Sequence, residues 1–512
     1  MPTYYVTTPI YYVNDEPHLG HMYTTVAADV LARHMRLAGY DVFFLTGVDE
    51  HGQKVQQAAE SKGIKPLELA DQVVKRYQAL WPRLSISNDD FIRTSSERHK
   101  RAVQSIWKRL DEAGAIYKGM YEDWYCVPCE TYWTETQLKD ADCWKEKICP
   151  DCRRSIERVQ EESYFFRLSR YQEPLLEHIR SHPEFIAPES RRNEVIRFVE
   201  AGLNDLSISR TTFSWGIPVP GDERHVIYVW IDALTNYISA LGYPDDRYLH
   251  YWPANVHLIG KDILRFHAVY WPCMLMAAGI PLPERIFAHG WWTVEGEKMS
   301  KSKGNALRPA DLLDHYDADL LRYFLLREVP FGQDGDFSFD ALKQRYNTEL
   351  ANDVGNLLNR SLAMLHKYCQ GVLHSGEAEE PLDRALIADI ESMQRDVDAH
   401  MHAQAFHLAL ERINAAVRHG NRYVEENAPW VLAKTGQTGR LRTVLYHLVE
   451  ALRLIALQLW PFMPNKSEAM LSQIHNEPVS PRAWHIAREG GWGGLNDGHQ
   501  CSRPSPIFPR MD

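Results

Sequence analysis

The pattern of apolar residues near the N-terminus predicts an α/β arrangement. Continuous apolar runs at residues 4–8 and 41–46 are predicted as buried strands, and residues 20–37 between them follow a helical period that Gly39 ends. A strand–helix–strand order implies a parallel sheet with a crossover helix. The chain therefore opens with a βαβ unit.

A second set of elements with the same character appears much later. Strands are predicted at residues 225–231, 256–259 and 286–288, with a helix at 261–276. Residues 118–217 separate the two sets, carry five of the eight cysteines and lack this alternation. We therefore predict a split Rossmann-like parallel sheet that is interrupted by an insertion.

The pattern after residue 339 is helical throughout. Apolar side chains step by three and four along two helices, at Phe406, Leu410, Ile413 and Val417, and at Leu441, Leu445, Leu448, Leu452, Ile455 and Leu459. These stripes predict an antiparallel helix bundle. The Gly- and Pro-rich tail is expected to be irregular, with SPIFPR packed back on the body.

Composition narrows the class of protein. The 512 residues are 45% hydrophobic and 24% charged, as in soluble globular proteins. The net charge of -11 does not suggest a nucleic-acid binder, although the distribution of charge matters more than its sum. No apolar run is long enough to span a membrane, and the N-terminus has neither a signal peptide nor room for a transit peptide. We therefore expect a cytoplasmic protein.

Four cysteines form two CxxC pairs with nineteen residues between them, Cys126 and Cys129, then Cys149 and Cys152. This spacing is typical of a four-thiolate zinc site, which has no open position and is structural. Cys143 lies between the pairs but has no CxxC partner, so we expect it to be a bystander. The remaining cysteines are interpreted as ordinary thiols.

Two short motifs could bind phosphate. HLGH places His18, Gly20 and His21 where the first strand turns into a helix, and a helix N-terminus at the carboxyl edge of a parallel sheet attracts anions. A pair of ordinary surface histidines would give the same pattern. EKMSKSKGN, residues 297–305, follows a predicted strand and hairpin, and its lysines form a cationic loop that could close over a polyphosphate. A solvated basic face is the alternative, and no P-loop motif is present.

Together, HLGH and KMSKS resemble the signatures of class I aminoacyl-tRNA synthetases. TTPIYYVNDEPHLGH, GVDEHG, YVWIDAL, LIGKDILRFH and APWVLAK resemble the corresponding segments of methionyl-tRNA synthetases, from about residue 4 to 464. The resemblance implies ATP-dependent attachment of L-methionine to tRNA(Met), including the initiator, through methionyl-adenylate, with release of AMP and pyrophosphate.

The resemblance also assigns domains. It implies a Rossmann-like catalytic domain at 1–117 and 218–290, a connective insertion with a zinc knuckle at 118–217, a KMSKS loop and stem-contact region at 291–340, a helical anticodon-binding domain at 341–475 and a tail at 476–512. Because the chain ends soon after the bundle, we expect a monomer.

By the same resemblance, His18, His21, Lys298 and Lys301 are catalytic, and Mg²⁺ accompanies the ATP. The implied ATP site is His18, Gly20, His21, Gly260, Asp262, Lys298, Met299, Ser300, Lys301 and Ser302. The implied methionine site is Ile10, Tyr12, Asp49, Trp230, Ala233, Leu234, Tyr237, Ile263, His267 and Trp271. Relatives also carry proline at the position of Leu234.

Some of these residues could have a structural role instead of the binding role that the resemblance implies. Asp49 follows a strand and can bind an α-ammonium group, but a helix cap would suit it as well. Asn356 and Arg360, four apart on one helix face, and Trp430, a stacking surface for an unpaired base, match anticodon-reading positions. Asn356 could instead be a cap and Trp430 a core residue.

Three other functions compete with this interpretation. Synthetases for isoleucine, valine or leucine carry a larger editing insertion, and a cysteine enzyme would place zinc in its amino-acid pocket. A small-molecule adenylyltransferase would lack the helical domain. A binding module built on the zinc knuckle would leave HLGH and KMSKS unexplained.

Overall fold

The structure is a computed structural model. It describes residues 1–13, 16–127, 129, 131–133, 135–294, 297–298, 307–374 and 376–511, with the backbone alone at 121, 123, 132, 136, 137, 140, 297 and 298. Within these ranges, no helix combines the length and the apolar composition that crossing a bilayer requires.

The first part of the α/β domain confirms the predicted βαβ unit. Its elements are β1 (Thr3–Tyr12), α1 (Leu19–Leu37), β2 (Asp41–Asp49), α2 (Gln53–Glu60), α3 (Pro66–Arg83), β3 (Asp90–Arg93) and α4 (Glu97–Glu112). β1 continues four residues beyond the predicted strand. Its register with β2 shifts between Thr7 and Ile10, where Pro9 has no N–H for the ladder.

The insertion is built mainly on an antiparallel sheet with the strand order β5-β4-β6-β8. The elements are β4 (Ile116–Cys126), β5 (Thr131–Trp133), α5 (Glu135–Asp140), β6 (Glu157–Phe166), α6 (Gln172–Ser181), β7 (Ile186–Ala187), α7 (Glu189–Glu200), β8 (Leu206–Ser207) and β9 (Ser209–Arg210). β7 is different, because it pairs in parallel at the edge of the main sheet. A two-residue strand is too short to show a period, so the sequence did not reveal it.

The next segment completes the main sheet, whose order is β3-β2-β1-β12-β13-β7 with every pair parallel. The elements are β10 (Pro218–Val219), β11 (Asp222–Ile227), α8 (Val229–Leu234), α9 (Asn236–Ser239), β12 (Val256–Gly260), α10 (Trp271–Ala278) and β13 (Ile286–His289). β12 and β13 confirm the predicted strands at 256–259 and 286–288.

The predicted strand at 225–231 is wrong in its second half. β11 ends at Ile227 and joins a small antiparallel sheet with β9 and β10, and a helix begins at Val229. A short buried helix and a buried strand can both appear as a continuous apolar run, so the period of apolar residues cannot distinguish them.

The predicted helix at 261–276 is interrupted. A 3₁₀ turn at Lys261–Ile263 is followed by a π-helical turn at Phe266–Tyr270, and α10 begins only at Trp271. Pro272 has no N–H to donate, and the N–H of Trp271 donates to the carbonyl of Phe266 five residues back.

A short connecting region leads into the helix bundle. It contains β14 (Trp292–Val294), β15 (Glu297–Lys298), α11 (Pro309–His315), α12 (Ala318–Arg327) and β16 (Gly335–Phe337). The bundle contains α13 (Phe339–Arg345), α14 (Asn356–Cys369), α15 (Pro381–His402), α16 (Phe406–Asn427), α17 (Pro429–Lys434), α18 (Thr438–Leu459), α19 (Pro464–His475) and α20 (Ile486–Glu489). Both predicted apolar stripes lie on helices, α16 and α18.

One buried cation joins the bundle to the α/β domain. Arg322 of α12 is fully buried, pairs with Asp29 of α1 at 2.7 Å and donates to the carbonyls of Pro461 and Phe462 beyond α18. Apolar side chains of α1 and of the bundle belong to one continuous core, which Ile507 and Phe508 of the tail complete. The helix that begins at HLGH is therefore packed directly on the bundle, and SPIFPR packs back as expected.

Candidate active site and anticodon groove

The order in which the chain adds strands to the main sheet reverses between β1 and β12. From β1 the chain continues outward to β2 and β3 on one side, while β12 and β13 lie on the other side. Ligands bind beyond the carboxyl ends of the strands at such a switch point. HLGH follows β1 at this edge, and LIGKD contains the end of β12.

The two histidines of HLGH form the cap of α1. His18 is the N-cap residue, and its Nδ1 accepts a hydrogen bond from the N–H of Gly20 at 3.1 Å. His21 Nδ1 accepts from the N–H of His18 at 3.2 Å, and the two rings stack with centroids 3.7 Å apart. A Cβ at Gly20 would lie 3.0 Å from His18 Cε1, so a larger residue would require the His18 ring to shift by a few tenths of an ångström. His18 is exposed and His21 is half-buried, so both rings can be reached from solvent at this edge.

This cap determines where each ring carries its proton. A ring nitrogen that accepts from a backbone N–H cannot be protonated, so each neutral imidazole has its proton on Nε2. Burial and the neighbouring His18 ring lower the pKa of His21 well below its ordinary value. The cap therefore presents two neutral rings with Nε2–H donors at a helix N-terminus, which suits a phosphate oxygen.

Two residues that the sequence analysis did not single out connect this cap to the other half of the sheet. Thr24, one turn into α1, hydrogen bonds to His289 Nε2 at 2.6 Å, and His289 ends β13 opposite Gly260. His289 Nδ1 lies 2.8 Å from the carbonyl of Gly290, so Nδ1 donates there and Nε2 accepts from Thr24. The only sequence signal was a histidine at the carboxyl end of a predicted strand.

Gly260 and Asp262 lie at the same edge. A Cβ at Gly260 would be 2.6 Å from Asp262 Oδ1, so only glycine allows this carboxylate to fold back over the strand end. Asp262 accepts from the indole N–H of Trp291 at 3.1 Å, and Lys261 lies over that indole ring and pairs with Asp334. The structure thus brings the predicted Gly260 and Asp262 to the edge that carries HLGH.

The cationic loop starts from this edge too. β14 comes three residues after β13 and forms the predicted hairpin with β15, in which Thr293 pairs with Lys298. Lys298 is described in its backbone alone. Met299, Ser300, Lys301 and Ser302 lie outside the described residues.

The predicted methionine-binding residues form two groups. The first lies at the ends of β1 and β2, where Tyr12 is opposite Asp49 and Ile10 is opposite Gly47. Asp49 is buried at the end of β2, and the following helix is capped by Gly52, so the helix-cap alternative for Asp49 is wrong. Lys54 lies over the ring of Tyr12 at 4.6 Å.

The second group is an aromatic cluster around α8, α9 and the π-helical turn. Tyr237 contacts His267 and Trp271, and Trp230 stacks on Phe266 with ring centroids 3.7 Å apart. Ile10 and Ile263 pack against the core that contains Trp230, Leu234, Tyr237 and Trp271, and Ala233 is buried on α8. Ile10 therefore links the two groups. Phe266 was not among the predicted residues.

His267 is held as a neutral ring. Its Nδ1 donates to the carbonyl of Ile263 at 3.0 Å, so Nε2 accepts from the Tyr237 hydroxyl at 2.7 Å. Burial lowers its pKa from the ordinary 6.5 to about 4. The site is therefore uncharged at His267 at neutral pH, as an apolar ligand requires.

The pKa of His267 predicts an acid-labile contribution to stability. Between pH 6.5 and about 4 the unfolded chain binds a proton that the buried ring does not bind, so the free energy of unfolding falls as the pH falls through this window. The full contribution is on the order of 3 kcal/mol. Urea unfolding at pH 7 and pH 4.5 should show a smaller pH effect in His267→Gln than in the wild type. Equal pH effects would contradict the assignment.

The four predicted metal ligands converge. The thiol sulfurs of Cys126, Cys129, Cys149 and Cys152 all lie within 4.8 Å of one another, with 3.6 Å between Cys126 and Cys152 and 3.9 Å between Cys129 and Cys149. Zn–S bonds of about 2.3 Å in a tetrahedron give S–S distances of about 3.8 Å. Cys143 is buried nearby, but its thiol donates a hydrogen bond to the Ala141 carbonyl and accepts one from Arg153, as expected for a bystander. The cluster fits a closed zinc site.

Two of the three predicted anticodon residues, Asn356 and Arg360, line one surface groove of the bundle, and Trp430 contacts Arg360. Trp430 is 40% exposed on α17, which excludes a core role, and the guanidinium of Arg360 lies 5.9 Å from the centre of its ring. Asn356 continues a π-helical stretch, Tyr346–Gly355, into α14 and is no helix cap. A groove of about 330 Å³ lies beside them, lined by Asn352, Asp353, Asn356, Arg360, Arg418, Asn421, Arg422 and Glu425. The residues from α16 were not predicted.

Two family models cover nearly the whole chain. The model for class I tRNA synthetases (M) matches residues 4–362, and the model for the anticodon binding domain of methionyl tRNA ligase matches residues 373–512.

Curated relatives and solved structures agree with these matches. The chain is 52% identical to the methionine–tRNA ligase of Caldanaerobacter subterraneus subsp. tengcongensis, over 100% of this chain and 79% of the relative, and 47% identical to that of Thermotoga maritima, over 99% and 80%. Mycobacterium tuberculosis methionyl-tRNA synthetase in complex with methionyl-adenylate superimposes with a TM-score of 0.94 at 45% identity over the full length of both chains. The apo form of that enzyme gives 0.88 at 42% identity, over 100% of this chain and 99% of the other. The chain belongs to the class I tRNA synthetases, in the family of the methionine–tRNA ligases.

Proposed function

We propose that this methionine–tRNA ligase activates L-methionine with ATP at the carboxyl edge of the main sheet and then transfers it to tRNA(Met). The observation that carries the proposal is the reciprocal histidine cap at the switch point, with the KMSKS hairpin starting from the same edge. An anion bound there meets the N-terminus of α1 and both Nε2–H donors.

The first step joins the methionine carboxylate to the α-phosphate of ATP and expels pyrophosphate. His18 and His21 donate hydrogen bonds from Nε2 to the α-phosphate region as its charge rearranges, and they do not act as bases, because their Nδ1 atoms accept from backbone N–H groups. Lys298 and Lys301 neutralise the β- and γ-phosphates when the loop closes. Gly260 and Asp262 contact the nucleoside, and Met299, Ser300 and Ser302 complete the loop around it.

Methionine is recognised at its two ends. The Asp49 carboxylate, buried at the end of β2, pairs with the α-ammonium group. The thioether lies among the aromatic cluster, where sulfur packs well against ring edges. The Tyr237 hydroxyl donates to His267, so its proton is not available to the ligand.

The helix bundle reads the anticodon of tRNA(Met), initiator included. Trp430 stacks on an unpaired base, and Asn356 and Arg360 supply hydrogen bonds inside the groove. The arginines Arg418 and Arg422 add positive charge to the groove of a chain whose net charge is -11. We expect the enzyme to work as a monomer in the cytoplasm, where tRNA is charged for translation.

Two metals belong to this proposal. Zn²⁺ is held by the four clustered cysteines and stabilises the insertion, with no open position for chemistry. Mg²⁺ accompanies ATP and supplies positive charge next to its phosphates.

Zinc analysis distinguishes ligand from bystander. We expect one zinc ion per chain in the wild type and in Cys143→Ser, and a loss of metal in Cys149→Ser, because Cys149 belongs to the four-sulfur cluster and Cys143 does not. Atomic emission of purified protein measures this. Loss of zinc in Cys143→Ser would contradict the ligand set.

Pyrophosphate exchange tests the function as a whole. We expect incorporation of labelled pyrophosphate into ATP that depends on methionine. Exchange with valine, isoleucine, leucine or cysteine in place of methionine would indicate another class I enzyme. If no exchange were seen with any amino acid, a binding module would be favoured.

A further inference from the structure

A chain of hydrogen bonds between buried polar side chains lies behind the methionine site. Asp232 of α8 is completely buried, and each of its carboxylate oxygens meets a histidine. His51 Nδ1 lies 2.7 Å from Oδ2, and His99 Nε2 of α4 lies 2.7 Å from Oδ1. His99 Nδ1 continues the chain to the hydroxyl of Ser239 on α9 at 2.8 Å. None of these residues was singled out from the sequence.

The directions of these hydrogen bonds follow from the ionised carboxylate. Although burial raises the pKa of Asp232, the charges and hydrogen bonds of His51 and His99 lower it to about 2. A carboxylate only accepts, so His51 donates from Nδ1 and His99 donates from Nε2. His99 Nδ1 shares the last hydrogen bond of the chain with the Ser239 hydroxyl. Both oxygens of the carboxylate and both ring nitrogens of His99 therefore have hydrogen-bond partners, which holds these side chains in place.

The chain connects the two groups of the methionine site. His51 follows Asp49 by two residues, and Asp232 lies between Trp230 and Ala233 on a helix of only six residues. Helices this short are not stable by themselves and depend on tertiary contacts. Trp215 covers His51, with ring centroids 5.3 Å apart, and its indole N–H donates to the Glu50 carbonyl. The end of β2 and α8 are thereby fixed to each other.

We propose that Asp232, acting through His51, is a positioning residue that sets the distance between the Asp49 carboxylate and the aromatic pocket at Trp230. Methionine must satisfy both at once, with its ammonium group at one and its thioether at the other. A change in this distance weakens methionine binding and leaves ATP binding, at the other side of β1, unaffected. The inference rests on the proposed function.

Asp232→Asn is the first test. The amide keeps the size of the side chain but supplies one acceptor where two donors are present, so either His51 or His99 loses its partner. In pyrophosphate exchange we expect the KM for methionine to rise at least tenfold and the KM for ATP to stay within twofold. Glu450→Gln is a matched control, because Glu450 is a fully buried carboxylate that pairs with Arg453 in the bundle. It should lower the melting temperature without changing the KM for methionine.

A second pair of variants separates positioning from general loss of structure. Asparagine places its amide N–H close to the position of a histidine Nδ1, so His51→Asn keeps the bond to Asp232, whereas His51→Ala removes it. We expect the KM for methionine to stay within threefold of the wild type in His51→Asn and to rise at least tenfold in His51→Ala. Equal values for these two variants, or equal rises in the KM for methionine and ATP in Asp232→Asn, would overturn the inference. Absence of exchange in the wild type would instead overturn the proposed function.

Discussion

Lys301→Ala is expected to slow methionyl-adenylate formation by about 10²–10³-fold while the Kd for methionine stays within twofold. Lys301 is proposed to meet negative charge that accumulates on the β- and γ-phosphates as pyrophosphate leaves, and one lost electrostatic donor of this kind costs about 10²–10³ in rate. In the proposed site, methionine lies on the other side of the α-phosphate and does not contact the lysine. Rapid-quench measurement of adenylate formation and equilibrium titration of methionine give the two quantities separately.

Lys303→Ala provides the comparison within the same loop. It removes an equal charge from a position that the family signature does not assign to the triphosphate. A small loss in the rate of adenylate formation in Lys303→Ala, together with a large loss in Lys301→Ala, would identify a specific contact between Lys301 and the triphosphate. Equal losses in both variants would indicate a general electrostatic attraction of the loop, and a parallel loss of methionine affinity in Lys301→Ala would contradict a transition-state role.

Trp430→Ala is expected to reduce kcat/KM for charging of tRNA(Met) by about 10–100-fold and to leave methionine-dependent pyrophosphate exchange nearly unchanged. Stacking of a base on an aromatic ring contributes about 1–3 kcal/mol. The ring is 40% exposed and pairs with Arg360 at the rim of the groove, so its loss creates no cavity in the core. Steady-state aminoacylation and exchange on one preparation make the comparison.

Val431→Ala is the neighbouring control. Val431 is 45% exposed on the same short helix and offers no ring for stacking. It should change neither activity by more than about twofold. Loss of exchange in Trp430→Ala would show that the tryptophan supports the fold of the bundle instead of contacting tRNA.

The residues that could be predicted from the sequence are those whose chemistry repeats in a short local pattern. The CxxC pairs, the stripes of α16 and α18, and the strands β1, β2, β12 and β13 each carry a local signal of this kind. HLGH indicated a helix N-terminus, but the reciprocal hydrogen bonds between His18 and His21 became visible only with the backbone of α1 in place.

Several of the errors and omissions share one physical cause, which is tertiary contact. The segment after Ile227 becomes helical where Asp232 meets two histidines from distant elements, and the apolar run alone gives no sign of this. Thr24 and His289 are 265 residues apart, and the arginines of α16 reach the anticodon groove from a different helix than Asn356. Such pairs depend on the packing of elements and leave no trace in a local period.

The central claim is that the histidine cap of α1 and the lysines of the KMSKS loop act on one bound triphosphate. A crystal structure of the protein with methioninol and a non-hydrolysable ATP analogue tests it most directly. The account predicts Nε2 of His18 and His21 at about 3 Å from oxygens of the triphosphate, with Lys301 Nζ bound to the same triphosphate nearer its γ end. A triphosphate bound by the cap with the loop lysines directed to the opposite face of the molecule would contradict the account.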